Sequence, residues 1–280
     1  MSFEEKITDK LIELSLEEDR VNYDITTNSL KEYDDIVIAE VTVKESGIIS
    51  GIDVFCKVFR RIDPDIKIEI LKNNGDSVRI KDKVLKITGY EGSILRAERT
   101  ALNFLQRLSG SASLTAKYIK ALDGHSIKLL DTRKTTPGMR YLEKQAVIDG
   151  GGTNHRMNLE DMAMIKDNHI LMAGTISNAV SKIRENYPDK KIEVEVKNIV
   201  EFKEAVKLNV DIIMLDNFTE DKLIEVLKIN RGKIKIEISG NVTLENIIEK
   251  IKNGVDYISV GALTHSYKAL DLSLNIIRDK

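Results

Sequence analysis

A chain of 280 residues, 42 % of them apolar, is long enough for one large domain or two smaller ones with a real core, and it reads as a folded globular protein. Its 43 Lys and Arg nearly cancel 45 Asp and Glu, so no global basic field points to nucleic acid and any functional charge has to be local. The lone cysteine, Cys56, excludes an internal disulfide and no Cys/His spacing suggests zinc, which leaves a buried structural thiol. No run of about 18 apolar residues offers a membrane span, and the acidic start MSFEEKITDKLIELSLEED lacks the pattern of a signal peptide. A cytoplasmic location is expected.

In chain order, the first 115 residues predict an α+β domain of short antiparallel strands: a helix at about 3–18, strand-like DIVIAEVTVKESGIISG, a helical DVFCKVFRRID, then IKIEILKNNGDSV and KDKVLKITGY. A helix from Ser93 to about Leu108 bridges into the second half of the chain. From residue 127 a simple unit repeats, with strand-like IKLLD, MAMIKD, KIEVEVK, VDIIMLD, KIKIEIS and VDYISVG separated by segments of helical period. The last four strands begin 19 to 23 residues apart, the length of a strand, a loop and a three-turn helix. Such βα repetition closes as a barrel or spreads as a doubly wound sheet, and the absence of Gly-x-Gly-x-x-Gly after the first strand favours the barrel. A seventh or eighth strand is expected near GGTNHRM, residues 151–157.

The C-terminal ends of barrel strands carry the chemistry, because the βα loops converge there. Those ends deliver Arg133 and Lys134, then Lys166, Glu195, Asp216, the trio Ser239, Gly240 and Asn241, and Gly261 with His265 just beyond. In a chain with 13 Arg against 30 Lys, six arginines (96, 99, 107, 133, 140 and 156) fall within 61 residues, which suggests planar recognition of carboxylate or phosphate. Arg96, Arg107 and Arg140 read as helix-surface residues. Glu193 and Glu195 share one strand face, and an inward carboxylate needs a cation or metal, so Glu195 and Asp216 are candidates for Mg²⁺ and an ion pair of Glu195 with Lys166 is equally consistent. ISGN and SVGA close two successive strands and are expected to open helices toward a phosphate. The residues describe phosphorylated-sugar chemistry; a Schiff-base aldolase with Lys166 as nucleophile is the rival, opposed by carboxylates that would raise the lysine pKa.

The run DTRKTTPGMRYLEKQAVIDGGGTNHRMNLEDMAMIKDNHI strongly resembles the quinolinate phosphoribosyltransferase family (nicotinate-nucleotide pyrophosphorylase, carboxylating), and AERTALNFLQRLSG, EVEVKN, IMLDN, ISGNVTLENI and GVDYISVGALTHS agree across residues 20 to 270. The resemblance implies an N-terminal α/β open-faced sandwich (1–115) and an incomplete α/β barrel of the seven-stranded type (116–267), with a tail at about 268–280 packing back on the first domain. It implies transfer of phosphoribosyl from 5-phosphoribosyl 1-pyrophosphate to quinolinate with decarboxylation, the step that makes nicotinate mononucleotide in de novo NAD synthesis. The family's quinolinate groups fall on Arg133, His155, Arg156 and Lys166, joined by Arg99 from the partner of a homodimer. Its sugar, pyrophosphate and Mg²⁺ groups fall on Lys134, Lys166, Glu195 and Asp216, and its 5′-phosphate loops on Ser239, Gly240, Asn241, Gly261, Ala262 and His265. The sequence departs from the family where ISGN replaces ASGG and SGSAS replaces SGIAT. A silent or repurposed relative, of the type linked to molybdenum transport, is the alternative.

Overall fold

The structure of the protein is a computed structural model that describes residues 2–30 and 35–277. In chain order the elements are α1 (Phe3–Glu18), α2 (Ile25–Ser29), β1 (Ile36–Val43), β2 (Gly47–Ile48), α3 (Ile52–Ile62), β3 (Lys67–Ile70), β4 (Ser77–Val78), β5 (Lys83–Tyr90) and α4 (Glu91–Ala121). They continue as β6 (Lys128–Leu130), α5 (Arg140–Asp149), β7 (Ala163–Ile165), α6 (Asp167–Ala173), α7 (Ile176–Asn186), β8 (Ile192–Val196), α8 (Ile199–Lys207), β9 (Ile212–Asp216) and α9 (Glu220–Asn230). β10 (Lys235–Ser239), α10 (Ile247–Lys250), β11 (Tyr257–Ser259), α11 (Ala262–His265) and β12 (Leu272–Ile277) complete the chain. It divides into two compact units, one of residues 1–116, 135–151 and 263–280, the other of residues 117–134 and 152–262.

The first unit holds an antiparallel sheet in the order β12-β1-β5-β3. Along β1 the side chains of Ala39, Val41 and Val43 are buried while Ile36 and Ile38 are exposed, so one face is covered and the other open, as expected of an open-faced sandwich. The cover includes α3, whose Ile52, Val54, Phe55, Cys56, Val58 and Phe59 are buried. Burial pushes the Cys56 thiol up to about 11, which leaves it an inert core residue. α1 begins where Ser2 Oγ accepts the Glu5 N–H and Glu5 accepts that of Ser2, a capping box, and it buries Thr8, Ile12 and Leu16 at four-residue spacing. β12 pairs antiparallel with β1, while 278–280 lie outside the described residues.

Two boundaries differ from expectation. The bridging helix runs 31 residues, straight through SGSAS, instead of ending near Leu108. Those small residues mark close packing: Ser109 and Ser113 bond the backbone of Ser50 and Ile48, Ser111 donates to Leu263 O, and a Cβ on Gly110 would come within 2.2 Å of Lys268 O. Residues 135–151, on the barrel side of the expected boundary, group with the first unit. Gly150 there lies so close to α4 that a Cβ would stand 2.4 Å from Ala112 O, and Ser50 donates to Asp149 at 2.6 Å.

The second unit is a parallel sheet in the order β6-β11-β10-β9-β8-β7, the six strands expected from the sequence. The first strand neighbours the last, so the sheet curls toward a barrel. The further strand expected near 151–157 is a single parallel bridge from Thr153 to Leu130, on the free edge of β6. Among the described residues no ladder joins this segment to β7, which makes the barrel incomplete at that seam. No helix in the described residues is long and apolar enough to cross a membrane.

Candidate active site

In the second unit, the strand ends bring charged side chains together. β8 presents Glu195 and β9 Asp216 on adjacent parallel strands, where Glu195 pairs in register with Met214, two residues before Asp216. Lys166, directly after β7, places its ammonium on Glu195 Oε2, so the ion-pair reading of this carboxylate is realised. Lys197 feels both Glu195 and Asp216, but its pKa is raised mainly by Asp167, 2.7 Å away. Lys134 is exposed, and its N–H donates to Thr132 Oγ1. The Arg156 guanidinium donates to Met162 O at 2.9 Å, and burial and the neighbouring Arg133 charge both lower its pKa. The two guanidiniums therefore lie close enough to repel each other.

Beneath this layer lies a group that motif reading only half found. Glu193 of β8 and Glu237 of β10 are fully buried, and His155 Nε2 stands 3.0 Å from one and 3.4 Å from the other, at ion-pair distance but off the direction of a good hydrogen bond. Burial alone would lower the His155 pKa, yet the pull of the two carboxylates outweighs it and raises the value to about 9. Burial likewise raises the pKa of Glu193. The Arg156 N–H donates to His155 Nδ1 at 2.7 Å, which needs a lone pair there. A second ring proton and that contact exclude each other, so the charged form favoured by the carboxylates gives the contact up. Both ring nitrogens of His155 face protein atoms. The signal for Glu237 was available: it shares a strand face with Ser239, two residues on.

The loop after β10 is built on left-handed backbone, with φ of 96° at Gly240 and 50° at Asn241. Asn is among the few side-chain-bearing residues that adopt this region readily, so Asn241 takes the left-handed position without forcing the loop open. Asn217, absent from the sequence candidates, ties the loop to the carboxylate site: Asn217 Nδ2 donates to Asp216 at 2.9 Å, and its Oδ1 accepts from Asn241 Nδ2 at 3.2 Å. The helices expected after ISGN and SVGA are single turns of four residues, α10 beginning six residues beyond Asn241 and α11 at Ala262. Helices this short offer no macrodipole of weight at these strand ends.

Arg99 and His265 belong to the first unit. Arg99 is exposed on α4, and His265 Nδ1 lies 2.6 Å from Ser266 Oγ. The same unit holds a buried hub missed by the sequence reading: Glu143 accepts from the N–H and hydroxyl of Thr136 and from Tyr267 OH, while Arg107 lies over the Tyr267 ring. Thr136 follows Lys134 by two residues, so this hub fixes the far end of the DTRKTTPG loop. Arg140, expected on the helix surface, instead donates to Thr135 Oγ1.

Two family models match the chain in succession: the N-terminal domain of quinolinate phosphoribosyl transferase over residues 24–109 and the C-terminal domain over 111–275. The chain belongs to the quinolinate phosphoribosyltransferase family. It is 42 % identical over 245 residues to a probable nicotinate-nucleotide pyrophosphorylase (carboxylating) of Synechocystis, spanning 86 % of this chain and 83 % of that one. A protein of the same name in Bacillus subtilis is 41 % identical over 85 % of this chain and 83 % of its own. The solved nicotinate-nucleotide pyrophosphorylase of Francisella tularensis superposes with a TM-score of 0.91 at 41 % identity, over 97 % of this chain and 96 % of that one. Membership in the quinolinate phosphoribosyltransferases agrees with the incomplete barrel and with a charged layer at its strand ends.

Proposed function

We propose that this enzyme joins the phosphoribosyl group of 5-phosphoribosyl 1-pyrophosphate to quinolinate and releases CO₂, making nicotinate mononucleotide for NAD in the cytoplasm as a homodimer. The observation that carries the reading is the strand-end layer in which Lys166 pairs with Glu195 and the Arg133 and Arg156 guanidiniums feel each other's charge, in a chain of this family. Quinolinate carries two carboxylates, and Arg133, Arg156 and Lys166 with the partner's Arg99 neutralise a dianion that would otherwise resist leaving water.

The pyridine nitrogen donates its lone pair to C1′ of the sugar as the bond from C1′ to pyrophosphate breaks. Charge develops on the departing pyrophosphate, and Lys134 stabilises it in this reading. Glu195 and Asp216, hard oxygen donors on adjacent strand ends, would hold Mg²⁺, which when bound stabilises that leaving group. Loop N–H groups at Ser239–Asn241 and Gly261–Ala262, with His265, hold the 5′-phosphate. Once ribosylated, the ring nitrogen is cationic and stabilises the electron pair left on the adjacent ring carbon as the 2-carboxylate departs as CO₂, and that pair then takes up a proton. Positioning supplies the rest.

Arg133→Ala tests these roles. It should raise the KM for quinolinate at least about tenfold, the loss of one charge-assisted contact, and leave the KM for the sugar substrate nearly unchanged. Equal effects on both would refute the assignment of Arg133 to a carboxylate.

A further inference from the structure

The segment around His155 is held in an unusual way for a barrel strand. On one edge it has the ladder contacts of Thr153, whose N–H donates to Leu129 O at 2.8 Å and whose C=O accepts from Asp131 N–H at 3.2 Å. On the other edge, at the seam, no described strand pairs with it, and side chains do the holding. The His155 N–H donates to Asp131, the Arg156 guanidinium reaches Met162 O across the seam, and the His155 ring points inward between Glu193 and Glu237.

Two fully buried carboxylates are a costly way to fill a barrel. The position on β9 paired in register with Glu237 is filled by Met214, a buried apolar side chain that carries no such desolvation cost. Buried charge of this kind is weak evidence for stability, and its best-attested use is to fix one arrangement among several. Here the arrangement it fixes is that of His155, and through the next peptide unit that of Arg156.

We infer that Glu193 and Glu237 are positioning residues: by gripping His155 from inside the barrel they pin the 153–156 segment at the open seam, and with it the Arg156 guanidinium that binds a substrate carboxylate. The inference rests on the proposed function for what Arg156 binds, and on geometry alone for the seam. Glu193, Glu237 and His155 could also ligate a metal, since their donor atoms all lie within 4.8 Å of one another, and the experiment separates the two uses.

The test uses the full chain with Glu237→Gln, Glu193→Gln, His155→Gln and the pair Glu237→Gln/His155→Gln. Each single variant should raise the KM for quinolinate about tenfold or more with the sugar KM within about twofold, and the pair should add nothing to His155→Gln alone. Hydrogen exchange should quicken at the amides of 153–156 and stay slow in β9 and β10. Additive effects in the pair, equal shifts in both KM values, or unchanged exchange at the seam would overturn the inference, as would one equivalent of divalent metal retained by the purified wild type and lost in Glu237→Gln. If the wild type fails to turn over quinolinate, the proposed function falls, and the exchange measurement still decides the seam.

Discussion

Gly240 has two reasons to be glycine. Its φ of 96° is left-handed, and a Cβ would come within 2.3 Å of Asn217 Oδ1, the atom that also accepts from Asn241. Gly240→Ala should therefore displace Asn217, destabilise the protein by about 1–3 kcal/mol and raise the KM for the phosphorylated sugar, whereas Asn241→Gly should be nearly neutral in both; thermal melts and initial rates measure this. His155 gives a pH signature. Its folded pKa of about 9 lies above the ordinary value near 6.5, so its contribution to stability is complete below pH 6.5 and lost as pH rises through 9. The melting temperature of wild type should exceed that of His155→Gln by a margin that shrinks between about pH 6.5 and 9.5; a margin independent of pH would contradict the charged triad. At this scale the strand-end residues were legible because βα periodicity says where each strand stops. Glu237 was missed although it shares a strand face with Ser239, because it lies below the strand end, and Asn217 was not legible because it acts on a loop distant in sequence.

At the scale of elements, hydrophobic period located the six barrel strands, each within about two residues, because parallel strands buried on both faces read as apolar runs. The Thr153 segment escaped because it pairs by one bridge on one edge and carries its weight on side chains. α4 was cut short because Ser and Gly are poor helix formers, yet tertiary contact overrides propensity where small residues let backbones approach. Gly110→Ala tests that explanation. Propensity alone would stabilise the helix by about 1 kcal/mol, but the clash with Lys268 O should destabilise the protein instead, so a raised melting temperature would show the packing account to be wrong.

For the whole molecule, the proposed function asks a near-neutral chain to gather a few cationic groups around one small dianion, with a second subunit of the proposed homodimer completing them. Arg99→Ala and Lys134→Ala should each be nearly inactive as homodimers. Mixing them after reversible dissociation should restore up to about a quarter of wild-type activity per site, from hybrids in which one site keeps both residues. No recovery in proven hybrids would place Arg99 in its own subunit's site. The central claim, that the charged layer exists to bind a dicarboxylate and let one carboxylate leave as CO₂, is tested most directly by a turnover assay. Purified protein with Mg²⁺ and 5-phosphoribosyl 1-pyrophosphate is given quinolinate or nicotinate, and nicotinate mononucleotide and CO₂ are followed. Product and CO₂ in equal amounts from quinolinate, with little or none from nicotinate, is the predicted result. Turnover of nicotinate alone would contradict the reading of the arginines, and turnover of neither would point to a silent relative.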